Sequence, residues 1–248
     1  MGLLTAELRK LTSVRTTVVI TLVGMVLVGF GAGFFLFESE LSGEFTGTDA
    51  QVAAAIDQIG GMSIVVLVMG LLVTTTEFRH DTIGRTLQLT PGRTRVMAAK
   101  LVVGALYGIV FFVLGLALVT LLVLLAGGEP TLGSQTRTAL WHGPAGLALT
   151  AVFGVAVGAL LRNQVVAVTV SLLYVMLFET LVNQFLPELA RWLPFQALNA
   201  LFLSDEVLAG APEGMVQPLE ASVALPVFLG YVLAATVAGV ALLRVRDV

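Results

Sequence analysis

Long apolar runs separated by short polar stretches make up most of this chain. The runs fall at about residues 17–37, 58–76, 101–126, 144–161, 165–186 and 225–243. Each is close to the ~20 residues that carry an α-helix across a hydrocarbon core about 30 Å thick. They are continuous rather than alternating, which favours helices over a β-barrel. The pattern therefore predicts an all-α, polytopic membrane protein with six transmembrane helices, written as a single transmembrane domain over 1–248. Ahead of the first run, Leu4, Leu8 and Leu11 recur at i, i+4 and i+7, while Arg9, Lys10 and Arg15 lie largely elsewhere. Residues 1–16 are thus expected to form an interfacial helix with its basic groups toward anionic lipid, the alternative being a plain basic flank. Between the fifth and sixth runs, residues 187–224 are too apolar for a simple loop and too interrupted for a span. Phe195, Leu198 and Phe202 follow at i, i+3 and i+7. This predicts a short amphipathic hairpin dipping in from the outer surface; the alternative is an interfacial loop anchored by Trp192. Irregular backbone at that depth must be covered by protein.

The most informative polar stretch is residues 77–100. It carries Arg79, Arg85, Arg93, Arg95 and Lys100 against Glu77 and Asp81. A short amphipathic helix is expected over about 82–89, closed by the turn Thr90-Pro91-Gly92, since Pro fixes φ and Gly permits positive φ. Ile83 and Leu87 are one helical turn apart and share a face. An ordinary basic loop that only fixes topology would look similar.

Composition sharpens the picture. Charged residues make up 12% of the chain and the mean hydropathy is +0.99, whereas soluble domains carry roughly a quarter charged residues. With the N-terminus inside and the spans alternating, Arg9, Lys10, Arg15, Arg79, Arg85, Arg93, Arg95, Lys100, Arg162, Arg244 and Arg246 lie inside, and Arg137 and Arg191 outside. This bias predicts that both termini are cytoplasmic. Most acidic groups, including Glu38, Glu40, Glu44, Asp49 and Asp57, then fall outside. The first run is too long for a cleaved signal core and is expected to remain as an anchor. The absence of cysteine excludes disulfides, thiol catalysis and Cys-based metal sites.

Enzymatic signatures are missing. The sequence has no G-x-x-x-x-G-K-[ST], H-E-x-x-H or G-x-S-x-G. The two histidines, His80 and His142, fall on opposite sides of the expected membrane, so no metal site or proton relay joins them. No catalytic residue, bound cofactor or nucleic-acid partner is expected. The one ionisable residue inside a run is Glu179, about 21 Å along its helix from Val165. An ionised carboxylate at a helix centre costs roughly 3 kcal/mol, and less toward the interface. With Asn183 one turn on, Glu179 reads either as part of a translocation path or as a carboxyl hydrogen-bonded to the hairpin. Gly104-x-x-x-Gly108 and Gly154-x-x-x-Gly158 read as tight helix packing.

The string Glu77-Phe78-Arg79, Thr82, Leu87, Thr90-Pro91, Arg93 and Ala99-Lys100, entering an apolar run, resembles type-2 ABC-transporter permeases. Length, layout and amphipathic start extend the resemblance over essentially the whole chain; Asp81 departs from the glycine often found there. The resemblance implies a permease subunit of an ATP-driven exporter in a bacterial inner membrane. Residues 77–100 would be its coupling loop, with Glu77, Ile83, Arg85, Leu87, Arg93 and Arg95 facing a separate ABC ATP-binding subunit that holds ATP and Mg. A second permease copy or a paralogue would complete the path within the lipid. An ion-coupled secondary transporter and a non-transporting membrane assembly factor are the rival readings.

Overall fold

The computed structural model describes residues 2–41, 47–80, 82, 92–128, 131–203 and 216–245, with backbone alone at 38–41 and 243–245. Every regular element among the described residues is helical. In order they are α1 (Leu3–Ser13), α2 (Arg15–Leu41), α3 (Asp49–Gly61), α4 (Ser63–Arg79), α5 (Arg93–Leu125), α6 (Ser134–Leu161) and α7 (Gln164–Leu173). A π-helical stretch, Tyr174–Glu179, leads into α8 (Thr180–Phe185), followed by α9 (Pro187–Ala190), α10 (Pro194–Ala200) and α11 (Ala221–Val245).

Six stretches are long and apolar enough to cross a membrane: Arg15–Phe37, Asp49–Arg79, Arg93–Leu125, Ser134–Leu161, Gln164–Phe185 and Ala221–Leu242. The chain is therefore multi-pass and transmembrane. The second and fourth stretches form the centre and are about half buried, while the first, fifth and sixth lie at the periphery. Peripheral helices turn large apolar side chains outward, Phe30 at 74% exposure among them, as lipid-facing positions do.

Small residues set the central packing. A Cβ on Gly70 would run into the Ala151 carbonyl, and one on Gly154 into the Leu67 carbonyl. Thr74 Oγ1 donates to the Val155 carbonyl across the same seam at 3.2 Å. Gly108 meets the Leu147 backbone, and Gly104 lies against Val155. Both glycine pairs thus bring α4, α5 and α6 together within one chain, where association without a hydrophobic drive needs close backbone approach.

The second and fourth helices begin earlier than hydropathy predicts. Residues 49–57, expected in an acidic loop, are helical because Thr48 and Gln51 form a reciprocal capping box. The helix then breaks around Met62 before α4 continues the span. Residues 134–143, expected as a polar connection, form the first turns of α6, with Pro144 inside the helix. The cap comes from elsewhere in the chain. Asp49 Oδ2 accepts from Gln135 N at 2.9 Å and Oδ1 from Thr136 N at 3.1 Å, satisfying donors that a helix start leaves open. Residues 83–91, which hold all but the first position of the expected helix together with the turn at Thr90-Pro91, and residues 204–215 lie outside the described residues.

Candidate functional site: a charge ring under the basic stretch

Three consecutive residues close α4 at the end of the bundle that carries most of the basic residues: Glu77, Phe78 and Arg79. Each binds a different part of that end.

Glu77 belongs to a ring of alternating charge. Lys10 Nζ lies 2.6 Å from Glu7 Oε1 and 2.6 Å from Glu77 Oε1. Lys100 Nζ lies 2.8 Å from Glu7 Oε2 and 2.8 Å from Glu77 Oε1, and donates to the Val73 carbonyl at 3.4 Å. The ring joins α1, α4 and α5. Lys100, Glu7 and Glu77 are 1%, 3% and 6% exposed, whereas Lys10 stands at the rim. Burial opposes ionisation of Glu7. The charge of Lys100 and hydrogen bonds from Lys10 and Lys100 outweigh it and hold the carboxyl below its ordinary range. Partial burial likewise opposes the Lys10 charge, and hydrogen bonds and charges of Glu7 and Glu77 outweigh it, raising its pKa. The second oxygen of Glu77, Oε2, is buried with no hydrogen-bond partner among the described residues.

Phe78 lies under the Arg162 guanidinium, 5.4 Å from ring centroid to Cζ. Arg162 closes α6 in the left-handed region at φ 53°, and its Nη2 donates to the Leu242 carbonyl at 3.0 Å. It thereby holds the last helix to the α6–α7 turn and to Phe78. Arg79 reaches α7, its Nη1 lying 3.4 Å from Gln164 Oε1. Immediately beyond, Thr82 N donates back to the Glu77 carbonyl at 3.0 Å, so the stretch leaves α4 through a turn tied to the ring.

Of the residues predicted to couple, Glu77 is therefore buried within the bundle rather than displayed. Arg93 and Arg95 form the first turn of α5, half-exposed and exposed. Their charges add to the positive end of that helix dipole, which does not stabilise the helix but concentrates positive potential at its start. Ile83, Arg85 and Leu87 lie outside the described residues. Glu179 and Asn183 are not brought together. Asn183 is exposed, whereas Glu179 is fully buried and caps α10. Its Oε1 accepts from Phe195 N at 3.1 Å and its Oε2 from Gln196 N at 3.0 Å. Glu179 thus ties the π-helical stretch to the start of α10 through both carboxylate oxygens.

Sequence reasoning overlooked the ring. Glu7 is the sole acidic residue among the first 37, and Lys10 and Lys100 are the only lysines in a chain otherwise served by arginine. An ammonium is a compact node with three donors, able to bridge two carboxylates where a planar guanidinium would not fit. Those two oddities of composition were the available signal. Among the described residues no group of three or more potential ligands could hold a metal ion. No protein-family model matches the chain, and no curated protein matches it.

Proposed function

We propose that this chain is the permease subunit of an ATP-driven ABC exporter. The basic end faces the cytoplasm of a bacterial inner membrane with both termini on that side, and residues 187–224 form a hairpin at the outer face. Two permease copies, or this chain and a paralogue, enclose the path, and separate subunits bind ATP and Mg. The observation that carries the reading is the anchoring of residues 77–79. The sequence offers no P-loop, so work must enter through a surface that a partner can reach. The basic stretch is such a surface, and its root is bound to α1 and α5 through the charge ring. Phe78, beneath Arg162, connects it to the α6–α7 turn and α11, and Arg79 connects it to α7. A load reaching residues 77–79 is passed to the bundle through these contacts. Ile83 and Leu87 supply a small apolar contact, and Arg85, Arg93 and Arg95 surround it with charge for an acidic partner surface.

The secondary-transporter reading needs buried ionisable groups near the midplane. The buried charges here lie close to the helix ends, and Glu179 is occupied by backbone donors. Co-purification with the ATP-binding subunit tests the proposal. Leu87→Asp and Ile83→Asp should each leave the membrane fold intact while weakening that association or uncoupling ATP hydrolysis from export. Full binding and coupling in both variants would remove the basic stretch as the coupling element.

A further inference from the structure

We infer that the cleft between α3 and α6, at the end of the bundle opposite the charge ring, is a binding site for an organic cation with an apolar body. The cleft holds a cavity of about 600 Å³. Sites for small organic ligands span about 300–1,000 Å³.

The walls of the cleft are fixed by the chain itself. Ala53, Asp57 and Gly60 follow at i, i+4 and i+7 on one face of α3, and Thr138, His142 and Gly146 at i, i+4 and i+8 on one face of α6. Phe202, just after α10, lies against both glycines, since a Cβ on Gly60 or on Gly146 would run into its ring. That ring is 8% exposed. It fills the cleft at the level of the glycines. The cavity occupies the stretch nearer the start of both helices, where Ala53, Asp57, Thr138 and His142 line it. There Asp49 ties α3 to α6 through the Gln135 and Thr136 amides. A site held this way loses little freedom when a ligand enters.

The lining sets the class of ligand. Two carboxylates line the cavity, Asp57 from α3 and Glu220 from the entry to α11. No Lys or Arg lines it among the described residues. The sequence has none from 16 to 78, from 101 to 136 or from 192 to 243, so the segments around the cleft bring no cation of their own. Arg137 lies on the opposite side of α6 from the lining positions, and its Nε donates to the Gly133 carbonyl at 3.2 Å. A cleft of one charge sign between low-dielectric walls concentrates ligands of the other sign. Leu201, Leu203 and Leu219 supply apolar wall, which suits hydrocarbon and not a hydrated ion. Among the described residues no group of three or more potential ligands could hold a metal ion. Positive charge beside the carboxylates and hydrocarbon against the leucines together describe an organic cation. The inference does not depend on the proposed transport role, because it needs no second subunit.

Tetraphenylphosphonium and tetraphenylborate share a shape and carry opposite charges, so together they test it. The full-length chain in phosphatidylcholine nanodiscs, with empty nanodiscs as the blank, should bind the cation at one saturable site and the anion at none. Asp57→Asn and Glu220→Gln should each weaken cation binding by about tenfold, as expected for one nearby charge partly shielded by solvent. Thr138→Lys, which sets an ammonium at a lining position, should abolish it. Glu220 and Thr138 are both exposed, so their variants keep the test intact should Asp57→Asn fail to fold. Glu188→Gln removes an exposed carboxylate outside the lining and should change nothing. Equal binding of the anion, or no saturable binding of the cation, overturns the inference. Undiminished affinity in Glu220→Gln and Thr138→Lys does so too, as does an equal loss in Glu188→Gln, which would trace binding to surface charge in general.

Discussion

Lys100 Nζ lies 2.8 Å from Glu7 Oε2 although 93 residues separate them, and both side chains are withdrawn from solvent. This pair ties α1, whose one buried residue is Glu7, to the body of the protein. Buried ion pairs are weak sources of net stability, because desolvation offsets most of their attraction. Their stronger effect is to penalise every arrangement in which one partner is missing. The ring therefore specifies where α1 docks more than it strengthens the fold.

Removing one member should accordingly cost far more than removing a pair. Lys100→Met leaves Glu7 and Glu77 facing one another with Lys10 alone, and a loss of about 3–5 kcal/mol is expected. Lys100→Arg should fail to restore stability, since the space holds an ammonium and not a planar fork. The double change Glu7→Gln with Lys100→Met should recover a large part of the loss. Thermal unfolding of the detergent-purified variants measures all three, with Glu7→Gln alone completing the cycle. Additive single and double effects would show that Glu7 and Lys100 do not interact.

The pH dependence of α1 docking follows from the same groups. The Glu7 carboxyl is held below its ordinary value of 4.5. Its contribution is therefore present above about 4.5 and is lost as pH falls through the lower folded value. The Lys10 ammonium is raised above 10.5, so its contribution is present below about 10.5 and is lost as pH rises through the higher folded value. Docking should be flat through the neutral range. A spin label at the exposed Thr5, reporting mobility from pH 3 to 11, should loosen only at the two extremes. A midpoint near pH 7 would mean that other groups hold α1.

How much of this was readable depends on the range of the forces involved. The six spans follow from local composition, and hydropathy registers them. The spacings of Gly104, Gly108, Gly154 and Gly158 show as close-packing motifs, but in a chain with 26 glycines spacing alone does not say which helices meet. Hydropathy does not register the start of α6, because the donors at Gln135 and Thr136 are met by Asp49, which local periodicity cannot see. The start of α3 is marked by the local Thr48–Gln51 capping box, a signal that hydropathy passes over. The charge ring is less legible still. Glu7, Glu77 and Lys100 occupy three segments whose meeting is a product of the fold, and each alone reads as a surface charge near a helix end. For Glu179 the sequence supplied the residue and two roles. The position of the Phe195 and Gln196 amides, which only the fold supplies, is what makes the capping role specific enough to test.

Glu179 should behave as a structural cap. An amide side chain offers one acceptor oxygen where the carboxylate offers two, so Glu179→Gln leaves one of the α10 amide donors unmet. A loss of about 1–2 kcal/mol is expected, in the range of other helix-cap deletions. It should appear as a lower melting temperature and greater protease sensitivity of residues 187–203. A Glu179→Gln protein that melts like wild type but transports with altered kinetics would return Glu179 to the translocation path.

Orientation can be settled because the chain contains no cysteine, so that a single introduced thiol reports without background. Asp49 is a poor site for such a probe, since replacing it uncaps α6. Ser134 is exposed at the start of that helix, and its replacement leaves the Asp49 carboxylate in place. At the basic end Thr94 is exposed in the first turn of α5. The excess of arginine and lysine at that end predicts that it stays on the cytoplasmic side. In intact cells a membrane-impermeant maleimide should therefore label Ser134→Cys and spare Thr94→Cys, and permeabilisation should expose Thr94→Cys. The reverse pattern would place residues 77–100 outside the cell. It would then remove them from the reach of any cytoplasmic ATP-binding subunit, and with them the route by which work is proposed to enter.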